Sequence, residues 1–366
     1  NQGEKEQKLT TFKSDNSLCV IDVYPSYFDV TLDYENGTPE EIGRAYAETI
    51  LNNVDWYEET IEPYIYENIN MAFGGKGIDY NSLGNRMNIL VSSLPNEYKE
   101  ELIAFATAIS NGDKGFKENG KISYEEALIL QIVPEALRGT ACSSLSLWGT
   151  KTESGEGITL RSLEWSLGSE NQLLTAHAVV HMKKGDSTIT SISMLGLYST
   201  ISAINDDGVF VAIHDVGANE YPFVYDGKMC YTYDIRYALE KFDNAIDVGN
   251  YMVKNSENYT YCHNLIITDK ENSYCAENCV KEVSDAGDGF SVLRDENTPL
   301  IESLDWKNRD SLFVLNSFAT KGNSDAYTNS GANIVRFEKY NKWVFEKEKF
   351  SVADVKSMIT QEKVNQ

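Results

Sequence analysis

The chain has 366 residues and a formal net charge of −24 at pH 7. Because phosphate backbones and anionic lipids repel so acidic a protein, the composition argues against nucleic-acid binding and against docking on a charged membrane. Hydrophobic residues make up 42% of the chain, which is enough for a sizeable core. No apolar run reaches the ~18 residues of a membrane-spanning helix, so we expect a folded protein without a membrane span.

The first eight residues, NQGEKEQK, are polar, and the sequence starts with Asn rather than Met. This stretch resembles the stub that remains after a leader has been removed. We therefore expect a secreted protein with an extracellular or cell-surface location.

The first part of the chain is predicted to be mostly helical after a short strand. The segment Thr38–Glu41 supplies an N-cap, a proline at the first helical position and a capping box, so a helix should begin there. A second helix is expected at 98–109. A third should begin after Ser123, whose capping box uses Glu126, and should run to about residue 137.

A segment rich in Gly, Lys and Asp precedes this third helix and has two interpretations. Asn119-Gly120-Lys121-Ile122 followed by Glu126 resembles part of a calcium-binding loop. Gly115 and Lys117, however, stand where that loop needs oxygen ligands. An ordinary surface loop is the alternative, and the sequence leaves calcium binding at 113–126 open.

After residue 142 the pattern changes to short strands separated by turn residues. The expected strands are 157–165, 174–182, 187–194, 208–216, 264–268 and 311–316. Two helices, 234–242 and 244–255, interrupt this run, and a last helix should begin at Ser351. The pattern therefore predicts an α+β protein.

The six cysteines leave the disulfide pairing open. Counting outward from the intervening turn places Cys262 opposite Cys279, which suits either a cross-strand disulfide or two buried free thiols. The spacing of Cys275 and Cys279 invites a metal site, and His177 and His181 share one face of a predicted strand. No further pair at ligand spacing completes such a site, and we predict neither a metal nor a cofactor.

Cys142 is preceded by the small residues Gly-Thr-Ala, and nineteen residues later the chain carries Arg161 and Glu164 in an Arg-x-x-acid turn. If the bond between Ala141 and Cys142 is cut, Cys142 gains an α-amino group with an ordinary pKa of ~7.7–8.0. That amine can accept the proton of the neighbouring thiol, so no histidine is needed. The pattern favours a nucleophile exposed by cleavage, with a buried structural cysteine and a surface ion pair as the plain alternatives.

Several short motifs follow one another in a definite order. They are 37–44 (GTPEEIGR), 100–104, 122–135, 142–144 (CSS), 205–209 (NDDGV), 315–318 (LNSF) and 333–337 (NIVRF). In this order the chain resembles the acyl-coenzyme A:6-aminopenicillanic acid acyltransferase-like family (peptidase family C45). It is more distantly similar to choloylglycine hydrolases, penicillin V acylases and acid ceramidase-type amidases, all of them N-terminal-nucleophile hydrolases.

The resemblance implies an αββα four-layer sandwich. Residues 1–141 would be a helical pro-segment that stays associated after autoproteolysis, and residues 142–366 would be the catalytic domain. The implied activity is hydrolysis or transacylation of a linear amide C–N bond through a thioester on Cys142. The implied partner is a small-molecule N-acyl amide, with no cofactor and no nucleic acid, and homo-oligomerisation is left open.

The resemblance also implies roles for individual residues. Asn316 would donate a hydrogen bond to the oxyanion, Arg161 and Glu164 would bracket the nucleophile, and Arg336 would complete a buried charge network. Glu164 departs from the family pattern, in which most relatives have Asp, and its extra methylene displaces the carboxylate.

A second departure lies at the end of the strand 208–216, where relatives often have Asn. Here the residues are His214 and Asp215, which become candidates for contact with the substrate or the new α-ammonium. These departures put the substrate class in question, and two other functions stay open. One is a catalytically silent secreted binding protein with the same fold, and the other is a metal-dependent hydrolase built on His177, His181 and the Cys275 region.

Overall fold

The computed structural model of the protein describes residues 6–73, 77–137, 141–217, 226–280, 289–325, 328 and 330–360, except for the side chains of residues 141, 359 and 360. The strands are β1 (Thr10–Lys13), β2 (Cys19–Val23), β3 (Phe28–Asp33), β4 (Ala141–Leu147), β5 (Ile158–Glu164), β6 (His177–Lys184), β7 (Ser187–Met194), β8 (Ser202–Asn205), β9 (Phe210–Asp215), β10 (His263–Thr268), β11 (Ser273–Asn278), β12 (Val292–Arg294) and β13 (Ser311–Val314). The helices are α1 (Pro39–Asn53), α2 (Tyr57–Ala72), α3 (Tyr80–Ser93), α4 (Asn96–Ile109), α5 (Tyr124–Gln131), α6 (Val133–Ala136), α7 (Tyr231–Lys241), α8 (Ala245–Lys254), α9 (Gly331–Glu346) and α10 (Val352–Thr360). The predicted α+β class is confirmed.

The chain forms two compact units, and each unit combines segments that are distant in sequence. The first contains Asn1–Arg138, Ser166–Ala203 and Tyr225–Tyr233, and the second contains Gly139–Trp165, Ile204–Val224 and Asp234–Gln366. The predicted boundary between residues 141 and 142 concerns a cut in the chain rather than a compact unit. It therefore stays a prediction.

The first unit contains a ladder of strands from both sides of residue 142. β1, β2 and β3 pair antiparallel in succession, β3 pairs parallel with β6, and β6 pairs antiparallel with β7. In β3, the side chains of Phe28, Val30 and Leu32 are buried while the residues between them are partly exposed, as expected for a strand with one face on a core. One short strand was predicted before the first helix, and the structure has three.

Both predicted capping boxes are confirmed. The side chain of Thr38 accepts a hydrogen bond from the backbone N–H of Glu41, and that of Ser123 accepts one from Glu126. Each glutamate in turn accepts a hydrogen bond from the backbone N–H of the cap residue. These bonds satisfy donors that the first turn of a helix leaves unpaired.

The structure differs from the other helix predictions in two ways. The third predicted helix ends at Gln131 rather than near residue 137, because Pro134 has no N–H to continue it and a separate short helix follows. The helices α2 and α3 were not predicted. α2 contains Pro63 and lacks a side-chain cap, while α3 is capped by Asp79. In the part of the chain that the structure describes, no helix is long and apolar enough to cross a bilayer.

Helices of the first unit hold the turn that follows β7. The Gln131 side-chain amide donates to the carbonyl of Gly196 and accepts from the N–H of Tyr198. The hydroxyl of Tyr57 donates to the carbonyl of Leu195. Each of these side chains is buried and belongs to a helix that precedes residue 142, whereas the turn follows it. These hydrogen bonds therefore join the two sides of the predicted cut inside one unit.

Carboxylates close the loop before α5 by accepting hydrogen bonds from its backbone. Glu126 accepts from the N–H of Lys117 and from the hydroxyl of Tyr66, and Glu62 accepts from the N–H of Gly120. Among the described residues, no group of three or more His, Cys, Asp or Glu side chains is placed to hold a metal ion. Glu126, the acid that suggested a calcium loop, thus acts as a hydrogen-bond acceptor for the backbone of this loop.

The second unit contains two antiparallel sheets. One has β9, β10, β11 and β12, with β9 pairing with β10, β10 with β11 and β11 with β12, and the other has the order β13, β4, β5. A cluster of apolar side chains lies between them, formed by Trp148, Phe210, Ala212, Ile266, Cys275, Leu312 and Val314. α8 contacts β11, while α9 contacts β13 and α10 contacts β5. A second apolar cluster lies between the sheet β13-β4-β5 and the helices α9 and α10. It includes Leu145, Leu147, Leu160, Phe313, Phe337 and Tyr340.

The strands predicted after residue 142 are confirmed within a few residues at β5, β6, β7, β9, β10 and β13. The predicted helices correspond to α7, α8 and α10, and α8 has Asn244 as its N-cap. The first residues of the strand predicted at 174–182 instead form a 3-10 helix, Gln172–Ala176, that leads into β6. α9 was not predicted.

The six cysteines are all free and buried, so the free-thiol alternative holds for Cys262 and Cys279. The sulfur of Cys262 accepts a hydrogen bond from the N–H of Val280 at 3.2 Å. His181 uses one ring nitrogen to bond Thr190 and places the other 3.2 Å from Asp29. The ring of His181 is thus paired within the protein.

Glu135 generates a prediction about stability. Burial raises the pKa of this carboxyl from 4.5 to about 7, although Thr232 donates two hydrogen bonds to it. Because the folded-state pKa is the higher one, the neutral acid stabilises the fold at low pH, and this contribution is lost as the pH rises through 7. We expect Glu135→Gln to leave stability little changed at pH 5 and to raise it by about 1–3 kcal/mol at pH 8.5.

Thermal or urea unfolding of both chains at the two pH values measures this difference. Glu48→Gln, at an exposed position of α1, is the matched control and should show the same difference from wild type at both pH values. A constant difference for Glu135→Gln as well would contradict the buried, uncharged state of this carboxyl.

Candidate active site

Cys142 lies in β4. Every second side chain of this strand is polar, and these side chains face the other sheet of the same unit. Leu145 and Leu147 point into the core beside α9 and α10, so Cys142, Ser144 and Ser146 face the opposite way. All of these side chains are buried. A polar strand face inside a protein requires partners for each group.

Arg161 contacts the sulfur of Cys142. β4 and β5 pair with Ser144 opposite Arg161, and the guanidinium donates to the Cys142 sulfur at 3.3 Å and to the carbonyl of Ile213 at 3.1 Å. Burial lowers the pKa of the Arg161 guanidinium, and the nearby Cys142 and Glu164 oppose that shift. An arginine keeps its proton in such a setting, so the sulfur lies beside a cation.

Asn316 follows β13 and contacts the backbone nitrogen of Cys142. Its Oδ1 accepts a hydrogen bond from that N–H at 2.6 Å and another from Arg336 at 3.1 Å, while its Nδ2 donates to the carbonyl of Asp215 at 2.7 Å. The partners fix the orientation of the amide, because two are donors and one is an acceptor. Asn316 was predicted to direct its N–H at the oxyanion. In this structure its oxygen accepts from Cys142 and one of its two N–H groups donates to Asp215, so the oxyanion role stays a prediction.

Arg336, on α9, contacts Cys142 through the backbone. Its guanidinium donates to the Cys142 carbonyl at 2.7 Å and to the Asn333 side chain at 2.8 Å, and lies 3.6 Å from the carboxylate of Glu164. One cation thus joins the start of β4 to the end of β5 and to Asn316. The residues that sequence motifs grouped as catalytic are all brought together in the second unit.

The other two candidates contact the site differently. His214 is fully buried and bonds through Nε2 to the hydroxyl of Ser144 at 2.8 Å. Burial, together with the charges of Arg161 and Arg336, holds the pKa of His214 well below its usual value, so the ring is neutral. Asp215 contributes its backbone carbonyl to Asn316, while strand alternation directs its side chain to the face opposite that of His214. The predicted contacts of His214 and Asp215 with a ligand stay predictions.

Tyr340 contacts β4 next to Cys142, and the sequence analysis did not single it out. Its hydroxyl donates to the hydroxyl of Ser143 at 2.8 Å, and burial raises the pKa of Tyr340 to about 12. Because Asn333, Arg336 and Tyr340 are spaced by three and four residues, they share one face of α9. That spacing was visible in the sequence, but it had meaning only once this segment was known to be a helix.

Cys142 is fully buried in the continuous chain. Its nitrogen is a peptide nitrogen there, since β4 runs through residues 141 and 142 without interruption. Residues 138–140, directly before the predicted cleavage site, lie outside the described residues. The thiol of Cys142 thus lies beside the guanidinium of Arg161, and the backbone N–H of the same residue donates to the amide oxygen of Asn316.

No protein-family model and no curated protein matches the sequence. Among solved structures, a Caenorhabditis elegans N-acylethanolamine-hydrolyzing acid amidase ortholog matches with 11% identity and a TM-score of 0.43, over 62% of this chain and 88% of that one. A mutant conjugated bile acid hydrolase from Clostridium perfringens matches with 13% identity and a TM-score of 0.32, over 61% and 74%. Penicillin V acylase from Agrobacterium tumefaciens matches with 14% identity and a TM-score of 0.22, over 43% and 41%.

These structures are of the kinds that the sequence motifs resemble. With TM-scores under 0.5 the matches carry no argument about activity, and any function has to be argued from the geometry around Cys142.

The contacts of Arg336 predict that replacing it lowers the stability of the protein. Arg336→Gln should leave the Cys142 carbonyl without its charged donor and should weaken the contact with Asn316. We expect a loss of roughly 2–4 kcal/mol in the free energy of unfolding, since unpaired buried acceptors cost about 1–3 kcal/mol each. Urea unfolding in a Cys142→Ala background, which removes any effect of cleavage, measures this loss.

Arg309→Gln in the same background is the control, because Arg309 is exposed in the same unit and exposed changes usually stay within ~0.5 kcal/mol. If both variants unfold at the same urea concentration, Arg336 does not hold the start of β4.

Proposed function

We propose that the protein is an amidohydrolase whose nucleophile is Cys142, activated by self-cleavage between Ala141 and Cys142. One observation carries the proposal. The nitrogen and the sulfur of the same residue are held by separate groups, with Asn316 Oδ1 2.6 Å from the nitrogen and Arg161 3.3 Å from the sulfur. Any buried backbone N–H needs an acceptor, but a guanidinium beside the sulfur is typical of a reactive cysteine rather than of a structural one.

Self-cleavage uses the thiol in the intact chain. The sulfur of Cys142 attacks the carbonyl carbon of Ala141, the C–N bond breaks, and the nitrogen takes up a proton, which leaves a thioester and a free amine. Water then hydrolyses the thioester, giving a carboxylate on Ala141 and restoring the thiol. Asn316 supports this step because it holds the nitrogen that becomes the leaving group.

Catalysis then repeats the chemistry on a substrate. The new α-amine accepts the thiol proton, the thiolate attacks an amide carbonyl, and the amine returns the proton to the departing nitrogen. Water releases the acyl group as a carboxylic acid, while attack by a second amine would make the reaction a transacylation. The guanidinium of Arg161 favours the thiolate form electrostatically.

The roles of the remaining residues follow from their contacts. Asn316 is assigned as the acceptor that orients the α-amine, because its Oδ1 accepts from that nitrogen. Its amide has two N–H groups and one of them donates to Asp215, so the predicted oxyanion role of Asn316 stays a prediction. Arg336 holds the carbonyl of Cys142 and thereby the direction of the chain at its new terminus. Glu164 balances the charge of Arg336 at 3.6 Å.

The second unit supports the proposed αββα arrangement. Its two sheets share an apolar core, α8 covers one sheet, and α9 and α10 cover the other. The pro-segment is proposed to stay bound after cleavage, because β3 lies before the cut and β6 after it. Their parallel pairing, from Phe28 opposite Ala178 to Asp33 opposite Lys183, does not depend on the bond at residue 141.

A catalytically silent binding protein is the alternative, and the full burial of Cys142 in the intact chain is the observation that favours it. The two functions differ in whether the bond between Ala141 and Cys142 is cut. The substrate class proposed is a small-molecule N-acyl amide.

Mass and activity measurements test the proposal. We expect purified protein to give two fragments that break between Ala141 and Cys142 and to hydrolyse members of a panel of N-acyl amides. Cys142→Ala should stay intact and lose activity by at least about a thousandfold. Cys19→Ala, at another buried cysteine, is the control and should be cleaved and active. An uncut wild-type chain that fails to react with a thiol-directed probe would support the silent binder instead.

A further inference from the structure

We propose that Asn264 is a positioning residue for this site: its side chain fixes the backbone on both sides of Asn316 and so directs the amide oxygen of Asn316 at the nitrogen of Cys142. The inference rests on the proposed function, which makes that nitrogen the catalytic base, and it extends the site to a strand that no sequence motif connected with it.

The contacts of Asn264 enclose Asn316. The Nδ2 of Asn264 donates to the carbonyl of Leu315 at 3.1 Å and to that of Ser317 at 2.8 Å. Both partners are acceptors, so the amide must present its NH2 group to them. The side chain of Asn264 therefore bonds to the residues directly before and after Asn316 and fixes the backbone from which the Asn316 side chain projects.

The burial of Asn264 indicates that these two bonds are the reason for an asparagine here. The residue is fully buried, and its Oδ1 has no hydrogen-bond partner among the described residues. An unpaired buried acceptor costs stability. An apolar residue would avoid that cost, but it would leave the carbonyls of Leu315 and Ser317 without donors.

The backbone around Asn316 lies beyond the regular ladder of β13. An isolated bridge joins Leu315 and Ser317 there, and Asp325 accepts hydrogen bonds from the hydroxyl of Ser317 and the N–H of Phe318. β13 ends at Val314, two residues before Asn316, and beyond it Glu277 accepts hydrogen bonds from the N–H groups of Ala319 and Thr320. Glu277 is held by Arg294. Buried polar side chains of β10 and β11 thus hold the segment, and Asn264 is the one that contacts the residues flanking Asn316.

The pairing of β10 with β9 also places the group that accepts a hydrogen bond from the Asn316 side chain. β9 and β10 pair with His214 opposite Asn264 and Asp215 opposite His263. The carbonyl of Asp215 accepts from Asn316 Nδ2. One register between β9 and β10 therefore places both the backbone of Asn316 and the acceptor of its amide.

Asn264→Ala tests the inference in two independent measurements. In the cleaved enzyme, we expect kcat to fall by about 10- to 100-fold with KM little changed, because displacements of about 1 Å have such effects. Asn316 also stabilises the charged α-ammonium through its oxygen, so the acid limb of the kcat/KM–pH profile should move to lower pH. Asn316→Ala should move the acid limb in the same direction. The double variant Asn264→Ala/Asn316→Ala should show no larger shift than Asn316→Ala alone.

The second measurement does not need an active enzyme. In a Cys142→Ala background the backbone N–H at position 142 is retained, and its hydrogen bond to Asn316 should slow hydrogen exchange. Adding Asn264→Ala should accelerate exchange of this amide, followed by mass spectrometry of short peptides. If exchange accelerates in a protein without amidase activity, the proposed function fails while the positioning role stands.

Asn278→Ala is the matched control. Asn278 lies on the neighbouring strand β11, is fully buried, donates to His263 and also has an unpartnered Oδ1 among the described residues. It should lower stability without moving the pH profile or the exchange of the amide at position 142. If Asn264→Ala fails to fold, Asn264→Ser, which keeps one donor, takes its place with a smaller change in the same direction.

An Asn264 variant that folds and matches the Asn278→Ala control in both measurements would overturn the positioning role. So would a loss of activity that appears without any shift of the acid limb and without faster exchange at position 142.

Discussion

The site depends on one cation, the guanidinium of Arg336, which holds the first residues of β4. It donates to the carbonyl of Cys142 and to the amide oxygen of Asn316, and it lies within ion-pair distance of Glu164. A strand end normally frays, because its terminal backbone groups lack neighbours. Here α9 supplies a charged donor at that end, and Tyr340 adds a second bond to Ser143 one turn further along the helix. A cut before Cys142 would leave both bonds in place.

The contacts within the first unit bear on the proposed cut before Cys142, because they would hold its two sides together. The first unit contains segments from both sides of residue 142, and its strands and buried side chains connect them. Gln131, before the cut, exchanges two hydrogen bonds with the turn after β7. These contacts are non-covalent and independent of the peptide bond at residue 141. The stability of the unit thus comes from burial and hydrogen bonding, while the bond that cleavage would remove carries little of it.

The sequence predicted what is encoded locally. The capping boxes at Thr38 and Ser123 and the strand β7 depend on neighbouring residues, and the structure confirms them. α9 was missed because its motif had been interpreted only as a stretch around Arg336. The orientation of Asn316 could not be predicted at all. It depends on Asp215, Arg336 and Cys142, which are brought together only by pairings between distant strands.

The polar face of β4 shows why that strand must have one register. Ser144 bonds to His214, and Ser146 bonds to Ser273 on the facing sheet and to Thr159 on β5. A shift of β4 by one residue would turn these hydroxyls outward and bring leucines into their place, leaving the facing groups without partners. Buried hydroxyl pairs contribute little net stability, but they exclude the shifted register. Because Cys142 belongs to the same face, the bonds that fix the strand also fix which side of the sheet carries the sulfur.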